Sequence, residues 1–160
     1  MEKYKKIVLL DIDDTIFNTA KFYSTNFKTY EMYEEVHAAL KALSQIATLG
    51  IFSQGDVAFQ KKKLVETNID HLFQEKHTYI VEEKIQVIKG LIETYKDSGR
   101  LFVVEDRLEV LEKVKAYGEN VFTIFMKRGR FAQNPRVVVA YKPDATVTDL
   151  HQTISLIENN

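Results

Sequence analysis

A chain of 160 residues with 45% hydrophobic and 28% charged side chains can build a core of its own, and residues 1–160 read as one globular domain. Its 22 basic and 23 acidic residues nearly cancel, to a formal net charge of -1, which argues against a nonspecific nucleic-acid binder and against a polybasic membrane-surface protein. There is no cysteine, so disulfides, thiol nucleophiles and zinc-thiolate sites are excluded, and any metal must be held by oxygen or imidazole.

The opening Met1-Glu2-Lys3-Tyr4-Lys5-Lys6 leads into an apolar run too short for a signal-peptide core or a membrane span, so a cytoplasmic protein is expected. Ile7 to Leu10 is apolar at every position, the pattern of a strand covered on both faces of a parallel sheet. From Met32 to Ala47, Val36, Ala39, Leu40, Leu43 and Ile46 recur at three- and four-residue intervals, which predicts an amphipathic helix. It feeds a strand at Leu49 to Phe52, a βαβ crossover.

The alternation continues with a helix at Val57 to Glu66, a strand at His77 to Val81, a helix at Glu83 to Tyr95 and a strand at Leu101 to Val104. A helix at Leu108 to Tyr117 follows, closed by Gly118 as a C-terminal cap, then a strand at Val121 to Met126. Val137 to Ala140 and a helix at Thr148 to Ile157 complete the chain. The expected fold is α/β: a doubly wound, mostly parallel sheet with helices on both faces, whose ligands bind beyond the carboxyl ends of the strands.

Polar residues gather at those strand ends. The first strand ends in Asp11-Ile12-Asp13-Asp14-Thr15, the second in Ser53-Gln54-Gly55-Asp56, the third runs toward Glu82-Glu83-Lys84, and the fourth ends in Glu105-Asp106. Asp11 and Asp13 are two apart, so on extended backbone both side chains lean toward one cleft while Ile12 turns into the core. Two close carboxylates repel each other at neutral pH, and a divalent cation relieves that repulsion. Magnesium prefers oxygen ligands and typically uses one or two carboxylates plus a substrate phosphate, which suits Asp11, Asp106 and a backbone carbonyl. The Ser53 hydroxyl, the backbone N–H groups near Gly55 and the Lys84 ammonium suit the oxygens of a phosphoryl group. Together these groups fit phosphoryl transfer, which is mostly positioning and charge neutralisation.

The order of these motifs resembles the haloacid dehalogenase superfamily of phosphohydrolases. Its first motif, an apolar strand followed by Asp-x-Asp-x-Thr, matches Asp11 to Thr15; its second, a Ser or Thr closing a strand, is similar to Ile51-Phe52-Ser53-Gln54-Gly55. Its Lys ahead of a helix best matches Lys84, and its acidic pair matches Val103-Val104-Glu105-Asp106, so the resemblance runs from Lys5 to about Ile157. It implies Asp11 as a nucleophile that becomes an aspartyl phosphate and Asp13 as acid/base, its backbone carbonyl also reaching the metal. Thr15 would support the loop, Ser53, Gln54 and Lys84 would bind the phosphoryl group, and Asp11, Asp13 and Asp106 would hold Mg2+. The family's dehalogenases lack the second Asp, so Asp13 points to phosphate chemistry.

Two departures stand out. Glu105 replaces the usual Gly, and Val110 occupies the later acidic position, which leaves Glu105 and Glu109 as further candidates near the metal. Between Thr15 and Met32 there is room only for a loop, so no separate cap domain and an open site are expected, with five aromatics in residues 17–30 able to fold over the cleft. Substrates of that kind are a phosphorylated small molecule or a phosphoprotein, with no nucleic acid or membrane partner and homo-oligomerisation left open.

Plainer readings apply elsewhere. Asp14 and Asp56 read as loop or capping residues, Lys61-Lys62-Lys63 as a solvated helix face, and Lys127-Arg128-Gly129-Arg130 as a surface loop that could also steer a phosphorylated substrate. The rivals to a phosphatase are a receiver-like module phosphorylated on Asp56 and a catalytically weak phospho-binding or regulatory relative.

Overall fold

The computed structural model describes residues 5–160; Met1 to Tyr4, the first part of the lead-in to the short apolar run, lie outside them. Strand β1 (Lys6–Leu10) is the hub. It pairs in parallel with β2 (Thr48–Gln54) on one side and β4 (Arg100–Glu105) on the other, with Leu10 level with both Ile51 and Val104. β3 (Thr78–Val81) extends the sheet beyond β2; β5 (Phe122–Met126) and β6 (Ala145–Val147) extend it beyond β4. All pairings are parallel and the order is β3-β2-β1-β4-β5-β6. The winding reverses between β1 and β4, and that reversal opens the crevice in which doubly wound folds bind ligands. A receiver-like sheet has a different strand order, so that rival is set aside.

Alternate residues of β1 serve opposite cores. Val8 and Leu10 join the core under α2 (Val36–Ile46), α3 (Val57–Glu66) and α7 (Gln152–Asn159). Ile7 and Leu9 join the core under α4 (Lys84–Tyr95) and α5 (Leu108–Tyr117). Burial on both faces is why the strand shows no polar alternation. Among the described residues no helix is long and apolar enough to cross a membrane.

Four expectations need correcting. The helix expected from Met32 begins at Val36, because Met32 bridges Phe17 and the Tyr33 N–H bonds to the Ile16 carbonyl, extended contacts that hold the approach out of helical form. The segment after Thr15 is more than a loop: Asn18 caps a short helix α1 (Thr19–Ser24) by accepting the Lys21 N–H at 3.0 Å. Val137 to Ala140 has β-branched residues but no ladder partner; Val138 is 86% exposed, and β6 forms five residues later. The last helix starts at Gln152 rather than Thr148, its first N–H accepted by the Asp149 carboxylate at 3.1 Å.

Gly118 does close α5, though without a left-handed turn. A Cβ there would come within 2.7 Å of methyls of Ile92 and Val121, so close packing selects the glycine.

Candidate active site

Asp11 follows β1 directly and continues its ladder, its N–H bonding the Val104 carbonyl at 3.0 Å. One carboxylate oxygen accepts the Lys84 ammonium at 2.7 Å and the other accepts the Thr15 hydroxyl at 3.2 Å. Lys84, the first residue of α4, is 1% exposed, lies 5.0 Å from the centre of the Phe52 ring, and also binds the Glu105 carboxylate. The second Glu105 oxygen accepts the backbone N–H groups of Asp106 and Arg107. Glu105 is therefore fully engaged as the partner of Lys84.

Asp106 differs. It is buried, and its Oδ2 has no hydrogen-bond partner among the described residues. Oxygen atoms of Asp11, Glu105 and Asp106 lie within 4.8 Å of one another. Burial, reinforced by Glu105 and opposed by Lys84, pushes the Asp11 carboxyl up to about 7. Burial and then the charges of Asp11 and Glu105 hold Asp106 well above the usual carboxylate range. Burial also acts upward on Glu105, but Lys84 and the Asp106 N–H outweigh it and hold that group low. Fully ionised, three buried carboxylates against the Lys84 ammonium would leave two negative charges uncompensated, which is why Asp11 and Asp106 are pushed up. With an unpartnered acidic oxygen among them, these residues fit a hard divalent cation.

Asp13 lies on the same cleft in a different setting. Its side chain is 32% exposed and accepts Lys63 at 2.6 Å, the Gln60 amide at 3.0 Å and the Thr19 hydroxyl at 3.3 Å. The Gln60 amide also reaches the Ser53 hydroxyl at 2.8 Å and the Gln54 carbonyl at 3.2 Å, so it ties the end of β2 to the Asp13 loop. Lys63 is 4% exposed and lies over the rings of Phe59 (4.5 Å) and Phe17 (5.0 Å). The reading of Lys61 to Lys63 as a solvated face is corrected for its third member. The signal was in the spacing: Gln60, Lys63, Leu64 and Thr67 repeat at helical intervals and form the buried stripe of α3. Neither Gln60 nor Lys63 stood out as a site residue in the sequence.

The other sequence candidates divide cleanly. Gln54 accepts the Lys84 N–H at 3.2 Å and Arg107 at 3.4 Å, which brings it to the cavity that Asp11 lines. Glu109 pairs with Arg107 at 3.5 Å, and Val110 is buried in the core. Asp56 caps α3 through the Phe59 N–H at 2.8 Å. Asp14, at φ 62°, accepts the Tyr33 hydroxyl and the Arg130 N–H, each at 3.3 Å; burial raises its carboxyl.

Arg128 anchors the loop after β5 to this centre. It bonds the Thr15 carbonyl and Glu35, each at 2.5 Å, and lies 3.7 Å from the centre of the Tyr33 ring. The loop then forms α6 (Gly129–Gln133) beside the cleft.

A cavity of about 140 Å³ is lined by Asp11, Asp13, Gln54, Lys84, Asp106 and Arg107. An adjoining one of about 210 Å³ shares Asp13, Gln54 and Phe131 with it. A larger cavity of about 430 Å³, between α3 and β3, contains none of the acidic centre.

No protein-family model and no curated protein matches the sequence. Solved structures do match in fold. A haloacid dehalogenase-like hydrolase from Burkholderia xenovorans is 18% identical with a TM-score of 0.78, covering 96% of this chain and 97% of that one. A HAD-hydrolase from Bacillus subtilis bound to magnesium is 11% identical with a TM-score of 0.73, over 97% and 99% of the two chains. An L-2-haloacid dehalogenase from Xanthobacter autotrophicus with chloropropionic acid covalently bound is 10% identical with a TM-score of 0.64, over 97% and 98%. The fold of this chain is the haloacid dehalogenase-like one.

Proposed function

We propose that this haloacid dehalogenase-like fold hydrolyses phosphate monoesters, with magnesium as cofactor and Asp11 as nucleophile. The observation that carries the reading is the cluster of three buried carboxylates, Asp11, Glu105 and Asp106, against the single ammonium of Lys84, beside a further carboxylate on Asp13. The carboxylates of Asp11 and Asp106 and the backbone carbonyl of Asp13 would hold the cation, which when bound neutralises phosphoryl oxygens and lets a dianion approach.

The chain's own groups supply the rest. An Asp11 oxygen bonds to phosphorus as the bond to the leaving oxygen breaks, giving an aspartyl phosphate; Asp13 delivers a proton to that leaving oxygen. Asp13 then takes a proton from the water that attacks phosphorus, and the Asp11–phosphorus bond breaks. Lys84 orients Asp11 through the 2.7 Å contact and Gln54 lines the same cavity, while the Ser53 hydroxyl is fully buried and accepts the Gln60 amide. Lys63 offsets the charge that Asp13 carries once its proton has passed to the leaving oxygen. A dehalogenase needs no second carboxylate at this position, which favours phosphate over halide as the group displaced.

The test is turnover of p-nitrophenyl phosphate with magnesium. Many turnovers per enzyme are expected, stopped by chelation and reduced about 1000-fold or more in Asp11→Asn. Chloride release from 2-chloropropionate without phosphate release would overturn the reading, and so would stoichiometric labelling at Asp56.

A further inference from the structure

The 140 Å³ cavity contains both Asp11 and Asp13, whereas the 210 Å³ cavity contains Asp13 without Asp11. An acid that protonates the leaving oxygen must lie between the phosphoryl group and the body of the leaving group. The larger cavity is therefore where that body sits, an assignment that rests on the phosphatase reading above.

Four rings stand among its polar lining residues and come from three separate elements: Phe22 and Tyr23 of α1, Phe59 of α3 and Phe131 of α6. The rings are held in place. Phe22 packs against Phe17, Tyr30 and Phe59 at centroid distances of 5.6, 5.0 and 5.8 Å. Phe131 is flanked by the guanidiniums of Arg130 at 4.8 Å and Arg136 at 5.0 Å. Among the described residues neither arginine forms an ion pair, so their charge bears on the ring and on whatever enters beside it.

Side chains that supply polar donors for a sugar or polyol are few here. Gln60 is committed to Asp13 and Ser53, Lys63 to Asp13, and Asp56 to the Phe59 N–H. The Thr19 hydroxyl is likewise committed to Asp13, and Asp14 to Tyr33 and the Arg130 N–H. Besides ring surface, what remains without a partner among the described residues is the Tyr23 hydroxyl, the Gln54 amide nitrogen and the cation on Arg130. Ring faces attract a flat π system through offset or edge-on contact, and a guanidinium attracts its face.

We propose that this cavity is a leaving-group subsite for a flat ring, and that the substrate is a small phosphate monoester of a ring-bearing alcohol rather than a phosphoprotein.

The experiment compares 2-phenylethyl phosphate with 2-cyclohexylethyl phosphate, whose alcohols have similar acidity and size and differ in flatness. For the wild-type protein kcat/KM should favour the phenyl compound by about fivefold. Phe131→Leu and Phe59→Leu should each move that ratio toward one. The ratio is internal, so partial unfolding lowers both rates together and leaves it unchanged. A wild-type ratio near one, or a ratio that survives both substitutions, overturns the subsite while p-nitrophenyl phosphate turnover keeps the phosphatase reading. No phosphate release from any of the three compounds overturns both.

Discussion

Lys84 and Lys63 enter the cleft from helices on opposite faces of the sheet, and both are buried, yet they meet different balances of charge. Lys84 binds two carboxylates, Asp11 and Glu105, with Asp106 close behind. Lys63 binds the single carboxylate of Asp13, which also receives a glutamine and a threonine, and its ammonium lies over two rings. Negative charge accumulates on one side of the cleft and is neutralised on the other. The proposed cation would sit with the first, and the proposed leaving-group ring with the second.

Removing each ammonium sharpens that contrast. Lys84→Met leaves Asp11, Glu105 and Asp106 buried together, and breaking a buried pair in this way should lower folding stability by about 3 kcal/mol or more at pH 8, read by denaturant unfolding. The loss should shrink near pH 5, where the carboxyls take up protons, and adding Glu105→Gln should return part of it. Lys63→Met should cost only about 1 kcal/mol, because water reaches the partly exposed Asp13. Its larger effect should be on turnover, about tenfold in kcat, since Asp13 is no longer pinned beside the leaving oxygen. Equal stability losses in the two variants would break the comparison.

The last expected effect is a pH-dependent response to magnesium. In the metal-free protein the folded-state pKa of Asp11 stands at about 7 and that of Asp106 is also raised, whereas unfolding returns both to the ordinary carboxylate range. The folded state then holds more protons than the unfolded state in between, so stability is full below about pH 4 with respect to these groups and falls as pH rises through about 7. Magnesium should therefore raise Tm more at pH 8 than at pH 5.5, by an amount equivalent to about 2 kcal/mol at roughly 30 times Kd. Asp106→Asn should remove most of that difference.

The α/β alternation and the acidic strand ends were legible because each rests on a local pattern: apolar runs without alternation for β1 and β4, helical spacing for α2 to α5, and carboxylates directly after β1 and β4. Lys84 was legible through its place before a helix. Lys63 was not, because three consecutive lysines look solvated until the helical phase of Gln60, Leu64 and Thr67 is traced to the sheet. α1 was missed because six residues barely show a helical period, although Asn18 marked its start. Val137 to Ala140 has the residues of a strand, but strand formation needs a neighbour, and Ala145–Val147 takes the place beside β5.

The loop from β5 to β6 is fastened at both ends. At its start the Lys127 N–H bonds the Val147 carbonyl, Arg128 grips Thr15 and Glu35, and Gly129, at φ 79°, lies so close to Asp14 that a Cβ would come within 2.3 Å of it. At its end Tyr141 and Asp144 bond Thr123. Between these fastenings residues 131–140 carry one ring of the cleft wall, one of its arginines and an exposed valine tip. Insertions, deletions or exchanges in that span can alter what the protein accepts while leaving the groups around Asp11 in place, so the choice of substrate and the breaking of the bond can be inherited separately.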